Sequence, residues 1–315
     1  MTAEILVLDN FAEVYERRLV VAFPQVRLHT AHRLAELAAD LSGIDVLIAF
    51  GIAIDDDLMR RLSALKWVQS LATGVDHFTK CPYLRKDTFL TSARGIHGPG
   101  MRETVAFLML ALTRQAPRLV ADKAARRWDR GQPWTPLNGR TAVIVGIGVG
   151  GIAIGQLLAA FGMRVIGVSR SPREIAGFDR IVHTDRLCEI AAEADFLIGF
   201  LPGEAANADL IGESVFAAMR SSAYFINVGR GSTVDEDALI EALRSGRIAG
   251  AGLDVFATSP LPANSPLWDI DNAVICPQIG GFTSDYEHLA LPIIEANMTL
   301  FLAGRGAEMR NLIAH

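Results

Sequence analysis

The residues in this sequence whose types and spacing could do chemistry together are a set of glycines, a serine-flanked arginine and one further arginine. Residues 141–153 read T-A-V-I-V-G-I-G-V-G-G-I-A, an apolar run that meets Gly146-x-Gly148-x-x-Gly151 and continues apolar through residue 161. In such a turn the first glycine permits the tight bend, the second lets backbone approach a pyrophosphate, and the third lets helix and strand pack closely. The helix that follows aims unpaired N–H groups and the positive end of its dipole at the phosphates. A glycine turn alone is an ordinary strand-to-helix turn, but a second apolar run at 164–168 completes the spacing of a βαβ unit. The spacing predicts a dinucleotide site around Gly146, Gly148, Val149, Gly150 and Gly151.

The end of the second run selects the nucleotide. An NAD(H) site wants an acid there to accept from the ribose 2′-hydroxyl. This chain has Ser169-Arg170-Ser171, with Arg173 close behind. Arginine welcomes a 2′-phosphate that an acid repels, so NADP(H) is favoured and NAD(H) remains possible. The plainer reading of Arg170 is a surface residue at a strand end. Arg230, in N-V-G-R-G after the apolar run 223–227, has a fork able to hold a carboxylate bidentately and polarise a carbonyl. Its plainer reading is a salt-bridged structural arginine. Thr73, Gly74 and Val75 follow the apolar run 66–71, and their backbone N–H groups suit an anion nest for the same carboxylate.

These positions need a scaffold, and the chain alternates strand and helix patterns to supply one. Strands are expected at 5–8, 26–29, 45–50 and 66–71, with helices at 12–23, 32–41 and 55–65, the last capped by Asp55. G-I-H-G-P-G at 95–100 breaks the pattern. A helix at 101–115 follows, so apolar that it should be buried on most sides, between domains or against another subunit. A polar segment with tryptophans, 126–139, leads into the glycine turn. Beyond it strands are expected at 141–145, 164–168, 181–182, 196–200, 223–227, 250–254 and 273–275, with a last helix at 286–302. The expected fold is α/β: two doubly wound parallel-sheet domains, a nucleotide-binding domain over 98–285 inserted in a smaller domain formed by 1–97 plus 286–315. Ligands in such sheets sit at the carboxyl ends of strands. That adds Leu201, Pro202, Gly229 and Asp254 to the nucleotide side with Gln278 beside them; Asn207, Val228 and Gly280 are further nucleotide candidates, and His97 is one on the substrate side.

Composition removes other classes. At 315 residues the chain suits about two domains, and with half its residues hydrophobic and 21% charged it can bury a large core. A net charge of −5, from 30 basic and 35 acidic residues, argues against a nucleic-acid or anionic-membrane surface. Cys81, Cys188 and Cys276 are scattered, which fits neither a zinc site nor a disulfide frame. The amino-terminal residues lack a signal pattern, and the longest apolar run, 105–112, falls short of the roughly 20 residues that cross a bilayer. A soluble cytoplasmic protein without a metal is expected.

The motifs V-G-I-G-V-G-G-I-A, F-L-P-G, F-I-N-V-G-R-G-S-T-V-D-E-D-A-L, A-G-A-G-L-D-V-F and P-L-P together resemble the D-2-hydroxyacid dehydrogenases, as do T-G-V-D-H, R-G-I-H-G and C-P-Q-I-G-G. The likeness spans nearly the whole chain, and the S-R-S strand end resembles the NADPH-preferring glyoxylate and hydroxypyruvate reductases of that family. The resemblance implies a Rossmann nucleotide domain within a flavodoxin-like substrate domain, a homodimer through the 101–128 region, and a small 2-oxo acid as substrate. It also implies a mechanism in which arginine binds and polarises the oxo acid, histidine gives a proton to the oxygen, and glutamate raises the histidine's pKa. Arg230 matches the arginine. Ser259 stands at the glutamate's position and Gln278 at the histidine's. An amide hydrogen-bonds but does not titrate, so Gln278 cannot act as a general acid, a role commonly worth about 10²–10⁴-fold in rate. His77, His97, His288, Tyr286 and water are the replacement donors. Three readings follow: a reductase with an altered acid step, a nucleotide-binding sensor of the same fold, and a dehydrogenase for a substrate needing no protonation, such as formate.

Overall fold

The computed structural model describes residues 2–131 and 134–315. The chain forms two compact units, Met1–Ile96 with Thr283–His315, and His97–Phe282. The boundaries fall at 96/97 and 282/283, where the sequence reading put them at 97/98 and 285/286, so His97 belongs to the larger unit.

The smaller unit carries strands β1 (Glu4–Leu8), β2 (Arg27–Ala31), β3 (Val46–Ala49), β4 (Trp67–Ser70) and β5 (Phe89–Ser92) in the order β2-β1-β3-β4-β5. Every pairing is parallel. Alternate residues of β1 feed two separate cores: Ile5 and Val7 pack with the helix Ala12–Ala22, Leu6 and Leu8 with the helix Asp56–Arg61. A strand buried on both faces must be apolar throughout, which is why β1 reads as an unbroken run. The helix Tyr286–Leu302 places Ala290, Leu291, Ile294 and Met298 in the core that holds Ile5 and Val7, so the carboxyl-terminal segment completes this unit.

A buried polar relay fixes that return. Trp67 Nε1 donates to Thr91 Oγ1 (2.8 Å), Thr91 Oγ1 donates to Gln69 Oε1 (2.8 Å), and Asn297 Nδ2 donates to the same oxygen (3.0 Å). Asn297 also bonds both backbone groups of Arg310.

The larger unit carries β6 (Thr141–Val145), β7 (Arg164–Ser169), β8 (Arg180–His183), β9 (Phe196–Gly199), β10 (Tyr224–Asn227), β11 (Gly250–Leu253) and β12 (Ala273–Ile275), all parallel, in the order β12-β11-β10-β9-β6-β7-β8. The order reverses between β6 and β9, the switch point where such sheets open a crevice. Val143 and Val145 face one core, Ala142 and Ile144 the other. Each unit is thus a doubly wound parallel α/β sheet.

Three expectations change. Residues 32–41 are not helical beyond the turn Leu34–Glu36. The leucines have helical spacing, but side chains satisfy the backbone instead: Glu36 accepts from His32 N (2.9 Å), Arg61 donates to the Ala38 and Ala39 carbonyls, and Asp40 accepts from Ser42 N (2.9 Å). Strand β5 was not anticipated; four residues with two polar ones carry little pattern. The apolar helix at 101–115 runs Gly98–Thr113 and buries Val105, Leu108, Met109 and Leu112, yet leaves Phe107 and Leu110 exposed. Leu119 and Val120 of the following helix, Ala116–Ala124, are exposed too, as is Trp128. Asp55 caps its helix as expected, accepting from Leu58 N at 2.8 Å. In the 126–139 segment, Gln132 and Pro133 lie outside the described residues. Among the described residues no helix is long and apolar enough to cross a membrane.

Replacing Asn297 with leucine strands the Arg310 N–H and one lone pair of Gln69 in an apolar setting. The expected loss is about 1–3 kcal/mol in chemical denaturation. An unchanged midpoint would mean that the relay does not tie the carboxyl-terminal segment down.

Candidate active site

At the end of β6 the chain turns at Gly146, whose φ is +102° and where a β-carbon would lie 2.3 Å from the Phe200 carbonyl oxygen. Only glycine fits this turn. Gly148 precedes the helix Val149–Ala160 with no side-chain cap, and a β-carbon there would meet nothing within 4 Å. The helix therefore presents its first-turn N–H groups, beside exposed Val149, to open space. A β-carbon on Gly151 would stand 2.1 Å from the Gly146 carbonyl oxygen, so this glycine is what lets the helix close on the turn. Gly150 packs on the Phe200 ring.

Beyond β7, Ser169 Oγ accepts from Ser171 N (3.2 Å) and turns the chain so that Arg170 is exposed, while Arg173 donates to the Ile147 carbonyl inside the glycine turn (3.4 Å). After β9 come Leu201, which is partly buried, and Pro202, which is exposed. Three of the expected nucleotide contacts have side chains that turn inward. Asn207 is buried and donates to the Pro202 carbonyl (3.0 Å), and Val228 is buried in the core. Asp254 is buried with its carboxylate accepting from Ile279 N (2.9 Å) and Gly280 N (3.0 Å). Burial lifts the Asp254 carboxyl above its ordinary range, opposed by the Gly280 and Ile279 N–H groups.

After β10, buried Asn227 accepts from Gly229 N (3.2 Å) and donates to the Arg230 carbonyl (3.4 Å), a local brace that sequence reading missed although the asparagine directly precedes V-G-R-G. Arg230 itself is partly buried, and its Nη1 donates to the Gly229 carbonyl (2.8 Å). No carboxylate pairs with it among the described residues. His97, at the start of the helix Gly98–Thr113, lies near enough to feel that charge: burial first, then Arg230, lowers its pKa from 6.5 to about 4. Its ring also packs against Gly281.

Gln278 and Ser259 come together. Ser259 Oγ donates to Gln278 Oε1 at 2.9 Å, and both side chains are exposed. Gln278 has a left-handed backbone, φ +57°, which costs a non-glycine residue about 1–3 kcal/mol. The Asp254 carboxylate holds the two residues that follow it.

Thr73, Gly74 and Val75 are placed on the smaller unit, in a loop after β4 that the Ser70 hydroxyl holds through the Ala72 and Gly74 carbonyls (both 3.3 Å). Of the other donor candidates on this unit, His77 lines an open surface cavity with Asp56, Asp76, Lys80 and Cys81, and His288 is exposed. Tyr286 is buried with its hydroxyl donating to the Leu71 carbonyl, and burial raises its pKa; it is not a proton source.

Comparison with known proteins agrees with this geometry. The family described as D-isomer specific 2-hydroxyacid dehydrogenase, NAD binding domain, matches residues 106–280. The glyoxylate/hydroxypyruvate reductase B of Yersinia enterocolitica is 36% identical over 286 residues, covering 87% of this chain and 85% of that protein. A D-isomer specific 2-hydroxyacid dehydrogenase family protein from Aeromonas salmonicida superposes with a TM-score of 0.91 at 34% identity, over 99% of both chains. An NADPH-dependent glyoxylate/hydroxypyruvate reductase of Sinorhizobium meliloti, solved with NADP and sulfate, gives 0.82 at 31% identity, over 99% of this chain and 98% of that one. Glycine turn, strand-end arginine and whole-chain likeness converge on one assignment: the chain belongs to the D-isomer specific 2-hydroxyacid dehydrogenase family.

Proposed function

We propose that this protein reduces a small 2-oxo acid to the D-2-hydroxy acid with NADPH. Arg230 carries the reading: a partly buried guanidinium at the end of a core strand, without a carboxylate partner among the described residues, is built to receive an anion from outside. Similarity to reductases solved with NADP, with Arg170 and Arg173 at the end of β7, favours NADPH over NADH. The bound nicotinamide supplies the hydride. Arg230 holds the carboxylate and draws electron density toward the 2-oxo oxygen. On the smaller unit, the loop of Thr73, Gly74 and Val75, held by Ser70, is proposed as a backbone anion site in its own right. Ser259, by donating to Gln278 Oε1, leaves the Gln278 amide N–H₂ as the donor available to the oxygen that becomes an alkoxide. Neither group titrates, so the proton added to that oxygen comes from a donor outside this pair.

The reaction is read directly as loss of NADPH absorbance with glyoxylate, hydroxypyruvate and larger 2-oxo acids. Tight NADPH binding without turnover on any of them would leave a sensor instead. Restoring Gln278→His and Ser259→Glu together should raise kcat by about 10²-fold, the lower end for an acid–base pair. No gain would mean that the two positions do not face the reacting oxygen.

His97 should titrate near pH 4 by NMR, and Arg230→Met should move it upward by removing a like charge. The unfolded imidazole takes its proton near 6.5 and the folded one near 4, so this group withdraws stability as pH falls through that window. Titration at 6.5 in both proteins would place His97 away from Arg230.

We further propose a homodimer, in which a second copy covers Phe107, Leu110, Leu119 and Val120. Phe107→Glu with Val120→Glu should halve the mass seen by light scattering; a single-chain mass in the unaltered protein would end the idea.

A further inference from the structure

Arg170, which turns the nucleotide site toward a phosphorylated ribose, already has an anion beside it. Its Nη2 lies 3.1 Å from Glu204 Oε2, and both side chains are more than half exposed. Glu204 stands in the loop after β9, just before the short turn Ala205–Asn207, and its side chain does not cap that turn. The neighbouring arginine is held differently, since Arg173 donates to the Ile147 carbonyl of the glycine turn. The end of β7 therefore collects two arginines from the loop that follows it and one acid from the loop after β9.

A carboxylate in this place acts in two ways. It occupies the guanidinium that a 2′-phosphate requires and repels the phosphate itself. It also brings acceptor oxygens to the strand end, where an NAD(H) site uses an acid to bind the ribose 2′-hydroxyl. We infer that Glu204 is a coenzyme-selecting residue that balances Arg170, so that the site accepts dinucleotides with either a 2′-phosphate or a free 2′-hydroxyl. With the phosphate, Arg170 exchanges Glu204 for the ligand. With the hydroxyl, Arg170 keeps Glu204, whose second oxygen accepts from the ribose. The inference rests on the nucleotide reading of this strand end.

The test is fluorescence titration of NADPH and NADH against the unaltered protein, Glu204→Gln and Arg170→Ala. Exposed ion pairs of this kind shift an equilibrium by about two- to fivefold. Glu204→Gln should therefore tighten NADPH by about that factor and weaken NADH, while Arg170→Ala should weaken NADPH much more than NADH. If Arg170→Ala behaves so but Glu204→Gln leaves the NADPH-to-NADH ratio unchanged, Glu204 does not select. If Arg170→Ala affects the two coenzymes equally, the strand end is not the 2′-phosphate site, and the inference falls with the reading beneath it.

Discussion

The carboxyl ends of β6, β9 and β10 meet backbone to backbone, and the arrangement of the larger unit's site follows from that contact. A β-carbon at Gly146 would lie 2.3 Å from the Phe200 carbonyl oxygen, and one at Gly229 would lie 2.7 Å from the Leu201 nitrogen. The two glycines thus press on the same two residues from opposite sides. Backbone cannot rotate out of the way as a side chain can, so these two positions leave no room for a side chain between the turn, the Leu201 loop and the strand end before Arg230. Interiors packed to this density transmit displacement instead of absorbing it. An electrophile that must be placed within fractions of an ångström of a hydride donor benefits from such a mounting.

The same logic continues through the turn at Gln278. Asp254 keeps a charge out of water because two backbone N–H groups replace the lost hydration, and in doing so it fixes Ile279 and Gly280. Gln278 is left with a backbone that its side chain disfavours and a carbonyl oxygen bonded to Ser259. A histidine–glutamate pair in these places would be a proton store whose occupancy follows pH. A hydroxyl–amide pair has the same shape of connection but a fixed dipole. The 2.9 Å contact makes Ser259 and Gln278 a bonded pair, so a change at either one removes the other's partner.

How much of this was legible in the sequence depends on the length of chain that carries each signal. The glycine turn spans an entire strand, turn and helix start, and every part of it is local, so Gly146, Gly148 and Gly151 were readable from spacing alone. Arg230 was readable for the same reason, because β10 points at it. The inward turn of Asn207 and Asp254 was not, since whether a polar side chain faces a crevice or a backbone amide is decided by residues far away in sequence, Gly280 in the case of Asp254. Residues 32–41 misled because leucine spacing was counted while the competing acceptors and donors, Glu36, Asp40 and distant Arg61, were not. Glu204 was invisible because its partner is 34 positions away on another strand end.

Arg230 raises an energetic question that the surrounding groups answer. A partly buried cation with no counter-ion among the described residues is costly, and most proteins would place a carboxylate beside it. Here the Gly229 carbonyl takes one N–H and solvent reaches the rest, which keeps the charge tolerable without cancelling it. Burial first, and then this charge, holds the His97 pKa below its ordinary value. A neutral His97 and a non-titrating Gln278 leave Arg230 as the one full charge among these three groups. Among the described residues no carboxylate cancels that charge, so the end of β10 keeps a net positive field.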